Sequence, residues 1–494
     1  MMYAFKRPVL PVDTHVGRVL SRLGIYAELG LDLEGLDHKQ LQRVLADLVP
    51  PNLRYSLHVN LIVHGREVCF AQKPACSRCE LRNLCGTYRR AEVARVQALE
   101  APTVIDLFSG AGGLSEGFQR AGYRVVGAVD ADAEAAKTYR LNHPAVPDEN
   151  VLVRDIAAVS AKDLKRMLGR RRLDVLAGAP PCQGFSSAGF RSKSSKTGYR
   201  LAADSRNFLF EFMVAIALEL KPRLFLMENV PGMQSARAEN LSFLEQAAHV
   251  LREGAGYRTA IWKLNASAYG VPQDRMRCFL VASREYLPPE PSREYQDLHR
   301  PDLDVDALPP ISLREAIFDL PPRDAGAGTA VARWDRPAGP LPPAQRRYLS
   351  KFKLLTDSRL VYNHAVRYHN ARDLELYSLL RPGEDSVHAI ERHGRADLMR
   401  YRQDVFDDKY ARLRPDKPSK TIVSHLAKDG NSYIHPEQVR SISIREAARL
   451  QSFRDDFVFC GSPSDQWIQV GNAVPPVLAE SIARSFLNVL GRKN

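Results

Sequence analysis

From Thr103 onward, short apolar runs alternate with stretches whose apolar residues recur at helical spacing. TVIDLF reads as a strand, SGAGG as a turn, and LSEGFQRAG as a helix ending at glycine. YRVVGAVD is a second strand, followed by a helical pattern through AEAAKTYRLNH. LDVLAGAP, RLFLMENV and CFLVASR are three further strand candidates, the first two preceded by helical stretches such as FLFEFMVAIALELK. Strands alternating with helices predict an α/β fold with a mostly parallel sheet covered on both faces.

The rhythm also marks boundaries. Residues 1–86 end in a cluster of cysteines, and 87–102, TYRRAEVARVQALEAP, read as a charged helical linker closed by proline. The α/β pattern occupies 103–284. Between 285 and 418 it is lost: proline and arginine are frequent, and helical pieces such as ARDLELYSLL are not interleaved with clear strands, which predicts a separate inserted domain. Residues 419–494 return to amphipathic helices, SIREAARLQSF and the closing PPVLAESIARSFLNVL. No internal repeat or low-complexity tract interrupts the chain.

Composition narrows the class. The chain has 494 residues, 45% of them hydrophobic, enough for two or three domains with ample core. No stretch approaches the roughly 20 apolar residues of a membrane span, and MMYAFKRPVLPVDTHV lacks an apolar signal core, so a soluble cytoplasmic protein without a membrane partner is expected. Lysine and arginine number 70 against 57 acidic residues, a net charge of +13 that favours a polyanionic partner. Seven cysteines in such a chain point to metal binding or catalysis rather than disulfides.

Candidate chemistry gathers at the predicted strand ends, where α/β proteins bind ligands. Asp130 ends the second strand, 20 residues after Gly110, and can bind ribose hydroxyls. The turn departs from GxGxxG, so an adenosine-containing ligand without a pyrophosphate fits as well as a dinucleotide. Cys182 follows the apolar run LDVLAGA and two prolines. It reads as a thiolate nucleophile on a stiffened loop or as an inert buried cysteine. MENVPG places Glu228 and Asn229 near the same rim, where a partly desolvated carboxyl group can act as an acid. YGVPQDRMR adds Arg275 and Arg277, on one face if the segment is extended. Together these groups suit attack on an electron-poor pyrimidine.

The ordered series DLFSGAGGLSEGF, Asp155-Ile156, GAPPCQGFS, DSRNFLF, ENV, QDRMR, REAARLQSF and VGNAVPP resembles the motif set of the DNA cytosine-5 methyltransferase family, from about Thr103 to Leu490. The resemblance implies a Rossmann-like, S-adenosyl-L-methionine-dependent domain acting on double-stranded DNA. Cys182 would attack C6 of a flipped-out cytosine, Glu228 would protonate or hydrogen-bond N3, Arg277 with Arg275 would hold the cytosine carbonyl, and Asn229 would position the loop. For the cofactor, Phe108 would stack on adenine, Gly110 and Gly112 would shape the methionine side, Asp130 would bind ribose and Asp155 the adenine amino group. Ile156, Pro180, Leu209 and Asn472 occupy matching positions. Asp130 stands where glutamate is common in the family. SSAGFRSKSSKTGYRLAADS resembles the loop that closes over DNA, residues 285–418 take the place of the target-recognition domain, and Ser419–Ile422 would contact DNA.

Cys69, Cys76, Cys79 and Cys85 have the spacing C-x6-C-x2-C-x5-C, and four thiolates suit an iron–sulfur cluster or zinc. The loop and YAFKRPVLPVDTHVGRVLSRLG resemble the C-terminal part of endonuclease III-type DNA glycosylases, which implies a 4Fe-4S cluster and matches Asp13 to that family's catalytic aspartate. That family's helix-hairpin-helix and catalytic lysine lie upstream of this point, so no independent glycosylase activity is expected. A retained DNA-binding module, a fusion remnant, and a start codon inside a longer protein all remain open. The expected function is a site-specific, monomeric, nucleoid-associated DNA cytosine-5 methyltransferase partnered by a restriction endonuclease or a mismatch-repair system. The alternatives are a transfer RNA cytosine-5 methyltransferase, or a repair protein using the methyltransferase domain as scaffold.

Overall fold

A computed structural model describes residues 10–28, 38–72, 74–89, 101–181, 208–235, 237–238, 241–292, 309–328, 331–333, 341–355, 360–398 and 410–491. Two units emerge, one from residues up to Leu99 and one from Glu100 onward. In the first, α1 (Thr14–Leu23) begins where the Asp13 carboxylate accepts the Val16 N–H at 2.8 Å, and it ends at Gly24 with φ 93°. α2 (Pro51–Glu67) opens on a proline, which loses no helical hydrogen bond there. Val16, Val19 and Leu20 of α1 pack with Leu61 of α2, Tyr26 and Leu45 in a small core.

The second unit is built on a seven-stranded sheet. Its strands are β1 (Thr103–Leu107), β2 (Arg124–Asp130), β3 (Val151–Val153), β4 (Val175–Gly178), β5 (Leu224–Asn229), β6 (Arg258–Asn265) and β7 (Met276–Ser283), in the order β3-β2-β1-β4-β5-β7-β6. The first five in that order are parallel, whereas β7 runs antiparallel to both β5 and β6. The apolar runs predicted as strands therefore form the sheet's interior. The two additional strands carry a weaker pattern: β3 is three residues long, and β6 is an edge strand with polar residues on its outer face.

Alternation along the strands builds two cores. Val104, Val175, Leu224 and Phe279 point to one side, Ile105, Leu176, Phe225 and Leu280 to the other. The second side is covered by α5 (Leu209–Leu220) and α6 (Phe243–Ala255), and the first by α3 (Gly113–Arg120), α4 (Ala133–Asn142) and α9 (Pro476–Val489). The α3–α9 contact depends on Gly117, where a Cβ would lie 2.3 Å from that of Ala479.

A third core crosses the boundary at 418. Ile311, Leu313, Ile317, Leu349 and Leu354 pack with residues of α7 (Ile444–Leu450), α8 (Pro463–Asn472) and the Phe453–Phe459 turn. This part of the insert thus shares its interior with the C-terminal segment. Its described strands are limited to a two-stranded pairing of Val331–Arg333 with Leu360–Tyr362. Arg449, fully buried on α7, locks the junction by donating at 2.7 Å to Asp319 of the insert and at 2.6 Å to Asp455. Among the described residues, no helix is long and apolar enough to cross a membrane.

Removing one partner from a buried ion network leaves uncompensated charge. Arg449→Met is expected to lower unfolding free energy by about 3–5 kcal/mol, read as a fall in urea midpoint. An unchanged midpoint would show that Arg449 does not hold the junction.

Candidate active site

In a parallel sheet every carboxyl end faces the same edge, and here that edge carries a cavity of about 1020 Å³. Phe108 follows β1, Asp130 ends β2, Asp155 follows β3, Pro180 and Pro181 follow β4, and Glu228 is the penultimate residue of β5. Because β7 is antiparallel, its amino end reaches this edge too, and it brings Arg275 and Arg277 to the same wall. Ile156, Leu209, Gly110 and Asn472 complete the predicted residues that line the cavity.

At one end, Phe108 takes φ 56°, an uncommon backbone conformation for a non-glycine residue, where the chain leaves β1 and turns beneath the cavity. Asp130 clamps that turn: its carboxylate accepts the Gly110 N–H at 2.7 Å and the Asp132 N–H at 2.8 Å. Each carboxylate oxygen has a second lone pair, so hydroxyl recognition by Asp130 remains open. Burial raises the Asp130 pKa, and the neighbouring Asp132 charge adds to it, while backbone N–H groups oppose the rise. Asp155 caps the following turn through the Ala157 N–H at 2.9 Å. Gly112 is behind the wall rather than on it: at φ 95° it packs against His143, whose Nε2 would lie 2.1 Å from a Cβ there.

Asp106, inside β1, also lines the cavity. It is 1% exposed, accepts the Ser115 hydroxyl at 2.6 Å through Oδ2, and has no hydrogen-bond partner at Oδ1 among the described residues. Burial pushes its carboxyl up to about 7, with the Asp130 charge adding to the rise. The available signal in the sequence was the single charged residue inside an otherwise apolar strand. Thr421, Val423, Ser424 and His425 also line the cavity, and a strand-by-strand reading does not bring them there.

At the catalytic end, Glu228 pairs in register with Phe279, so Arg277, two residues away on β7, meets it diagonally on the same face. Arg277 Nε lies 2.9 Å from Glu228 Oε1. Arg275 has a different position. It is 2% exposed and donates to the carbonyls of Ile422 at 2.7 Å, Gly471 at 3.2 Å and Ala473 at 3.0 Å. It therefore ties two distant chain segments to the catalytic strand rather than presenting its guanidinium to a substrate. Asn229 is buried and points back, donating to the Pro180 carbonyl at 3.2 Å. Cys182 and the segment 186–205 lie outside the described residues, although Pro181, bonded to Cys182, lines the cavity.

In the first unit, Arg22 donates to Cys69 Sγ at 3.3 Å, and Cys85 Sγ donates to the Arg22 carbonyl at 3.1 Å. Burial pushes the Cys79 thiol up to about 11, and Cys85, Cys69 and Cys76 are close enough to add to it through like charge. Among the described residues, no three Cys, His, Asp or Glu side chains are gathered tightly enough to hold a single metal ion. Asp13, matched above to a catalytic aspartate, caps α1.

The sheet and the cavity on its carboxyl edge define an α/β enzyme of the methyltransferase class. Over residues 102–488 the chain matches the C-5 cytosine-specific DNA methylase family and belongs to it: it is a DNA cytosine-5 methyltransferase, with S-adenosylmethionine the expected cofactor. It is 33% identical over 391 residues to the type II methyltransferase M.DdeI of Desulfomicrobium norvegicum, covering 77% of this chain and 87% of that one. It is 34% identical over 395 residues to M1.HphI of Haemophilus parahaemolyticus, covering 78% and 87%. A solved structure described as a DNA modification methyltransferase encoded within an E. coli prophage aligns with TM-score 0.56 and 25% identity, over 79% of this chain and all of that one. The family match begins after the cysteine-bearing unit.

Asp106 gives the fold a testable pH dependence. Its folded pKa, about 7, lies above the ordinary 3.8, so between those values the native state holds a proton that the unfolded chain has released. Stability from this group therefore falls as pH rises from about 4 to about 7 and is level above. Asp106→Asn should lack that decline, its stability relative to the unaltered chain growing by on the order of 4 kcal/mol across the window. Parallel stability curves for the two proteins would refute the assignment.

Proposed function

We propose that the enzyme methylates a cytosine flipped out of double-stranded DNA, at a short sequence read by residues 285–418, through a covalent bond between Cys182 and C6. The observation that carries this reading is the Glu228–Arg277 pair at 2.9 Å, on the wall of the cavity that also holds Phe108, Asp130 and Asp155. The Cys182 thiolate attacks C6, and the displaced electron pair makes C5 nucleophilic. Glu228 holds a proton at N3 and accepts that charge, while Arg277 donates to the cytosine carbonyl. The ion pair fixes both side chains before the base arrives. When bound, S-adenosylmethionine supplies a methyl group on a sulfonium, which C5 takes. Loss of the C5 proton and departure of Cys182 then restore the ring. Arg275 and Asn229 act as positioning residues, through the carbonyls they hold.

The cavity and its residues fit the cofactor. Phe108 offers an adenine face, Asp130 accepts ribose hydroxyls and Asp155 the adenine amino group. Gly110 shapes the methionine side with Gly112 behind it, and Ile156, Pro180, Leu209 and Asn472 line the space. The type II names of its relatives support a role in a restriction-modification system, as a monomer in the cytoplasm and on the nucleoid, with a cognate endonuclease at the same site. In the N-terminal unit we infer a 4Fe-4S cluster on Cys69, Cys76, Cys79 and Cys85. The support is an all-thiol donor set, suited to soft metals, whose members feel one another's charge.

Transfer of labelled methyl groups to unmethylated DNA, with base-resolved sequencing, should show C5 methylation in one short motif. Cys182→Ala should abolish it, and Glu228→Gln should reduce kcat by about 10²–10⁴-fold. A duplex containing 5-fluorocytosine at the site should trap the unaltered enzyme covalently, and turnover by Cys182→Ala would rule out the adduct. Protein purified without oxygen should carry about four irons and matching sulfide per chain, lost in Cys76→Ala. Zinc alone, or no metal, would refute the cluster.

A further inference from the structure

A single exposed aromatic is ordinary on a protein surface. Tyr368 differs in how it is held. It is 80% exposed, the most exposed of the large apolar side chains described, within a segment whose other members are anchored. Asn363 takes φ 56°, and its amide bonds the Phe459 backbone and the Gln466 side chain. His364 bridges Ser443 and the Pro321 carbonyl, each at 2.8 Å. Arg367 stacks over the Trp467 ring at 5.1 Å and donates to the Leu426 carbonyl. His369 bonds Ser441 at 2.9 Å, and Asn370 caps the next helix.

These anchors adjoin the cavity. Trp467 precedes Ile468 and Gln469, and Leu426 follows Ser424 and His425, all four of them cavity-lining residues. The strained Asn363 backbone and the buried neighbours hold the segment rigid, leaving one amphipathic ring in solvent beside the rim. A duplex delivering a base into the cavity must lie across that rim. Rigid aromatic side chains suit such contact, since an apolar face packs on sugars or bases and a hydroxyl donates to phosphate.

We propose that Tyr368 is a DNA-contact residue of this methyltransferase, a positioning element for the duplex and not part of the chemistry. Unmethylated plasmid DNA serves as substrate, since the unaltered enzyme methylates its own site there. Tyr368→Ala should raise KM for DNA by about five- to tenfold, leaving kcat at saturating DNA, S-adenosylmethionine affinity and melting temperature unchanged. Tyr368→Phe should restore KM if the ring makes the contact. A loss shared by Tyr368→Phe assigns it to the hydroxyl, still a DNA contact. A KM for Tyr368→Ala within about twofold of the unaltered enzyme's overturns the proposal, as does a fall in melting temperature that accounts for the loss.

Discussion

Strand direction is the constraint on which the site depends. Five neighbouring parallel strands bring their carboxyl ends to one edge, and an antiparallel β7 brings its amino end there as well. Arg277 and Glu228, far apart in sequence, can meet because their strands run in opposite directions and are in this register. A parallel β7 would carry the arginine to the far edge. A one-residue slip would turn it to the other face.

Buried Arg275 then closes the cavity from its other side. Its three carbonyl contacts reach Ile422, Gly471 and Ala473, so the return from the insert and the end of α8 are both fastened to the strand that carries Arg277. Arg449 performs a similar task one layer further out, bridging the insert and the C-terminal segment through Asp319 and Asp455. Buried guanidinium groups suit such junctions, since their planar fork satisfies several acceptors at once and stays charged.

At the cofactor end, polar groups are held ready by burial rather than by surface display. Asp130 braces the Gly110 turn, and Asp106 is enclosed with Oδ1 unpartnered. Low local polarity makes such carboxyl groups sensitive to any charge placed beside them. The same surroundings keep Phe108 in its uncommon backbone conformation.

The sequence by itself determined much of the interior. Strands buried on both faces must be continuous apolar runs, so TVIDLF, YRVVGAVD, LDVLAGA, RLFLMEN and CFLVAS were legible, and the residue types of the site stood at their ends. The short β3 and the edge strand β6 were not, because few of their side chains are buried. Side-chain partners were also beyond a linear reading. Arg275 and Arg277 look equivalent in QDRMR, but one is enclosed by carbonyls and the other faces Glu228. Asp106 reads as a strand residue until its neighbours from α3 and β2 surround it. The insert reads as separate until Ile311 and Leu313 are found packed with α7. Local pattern decides which residues can be buried, whereas partnership depends on chain crossings that only the assembled sheet creates.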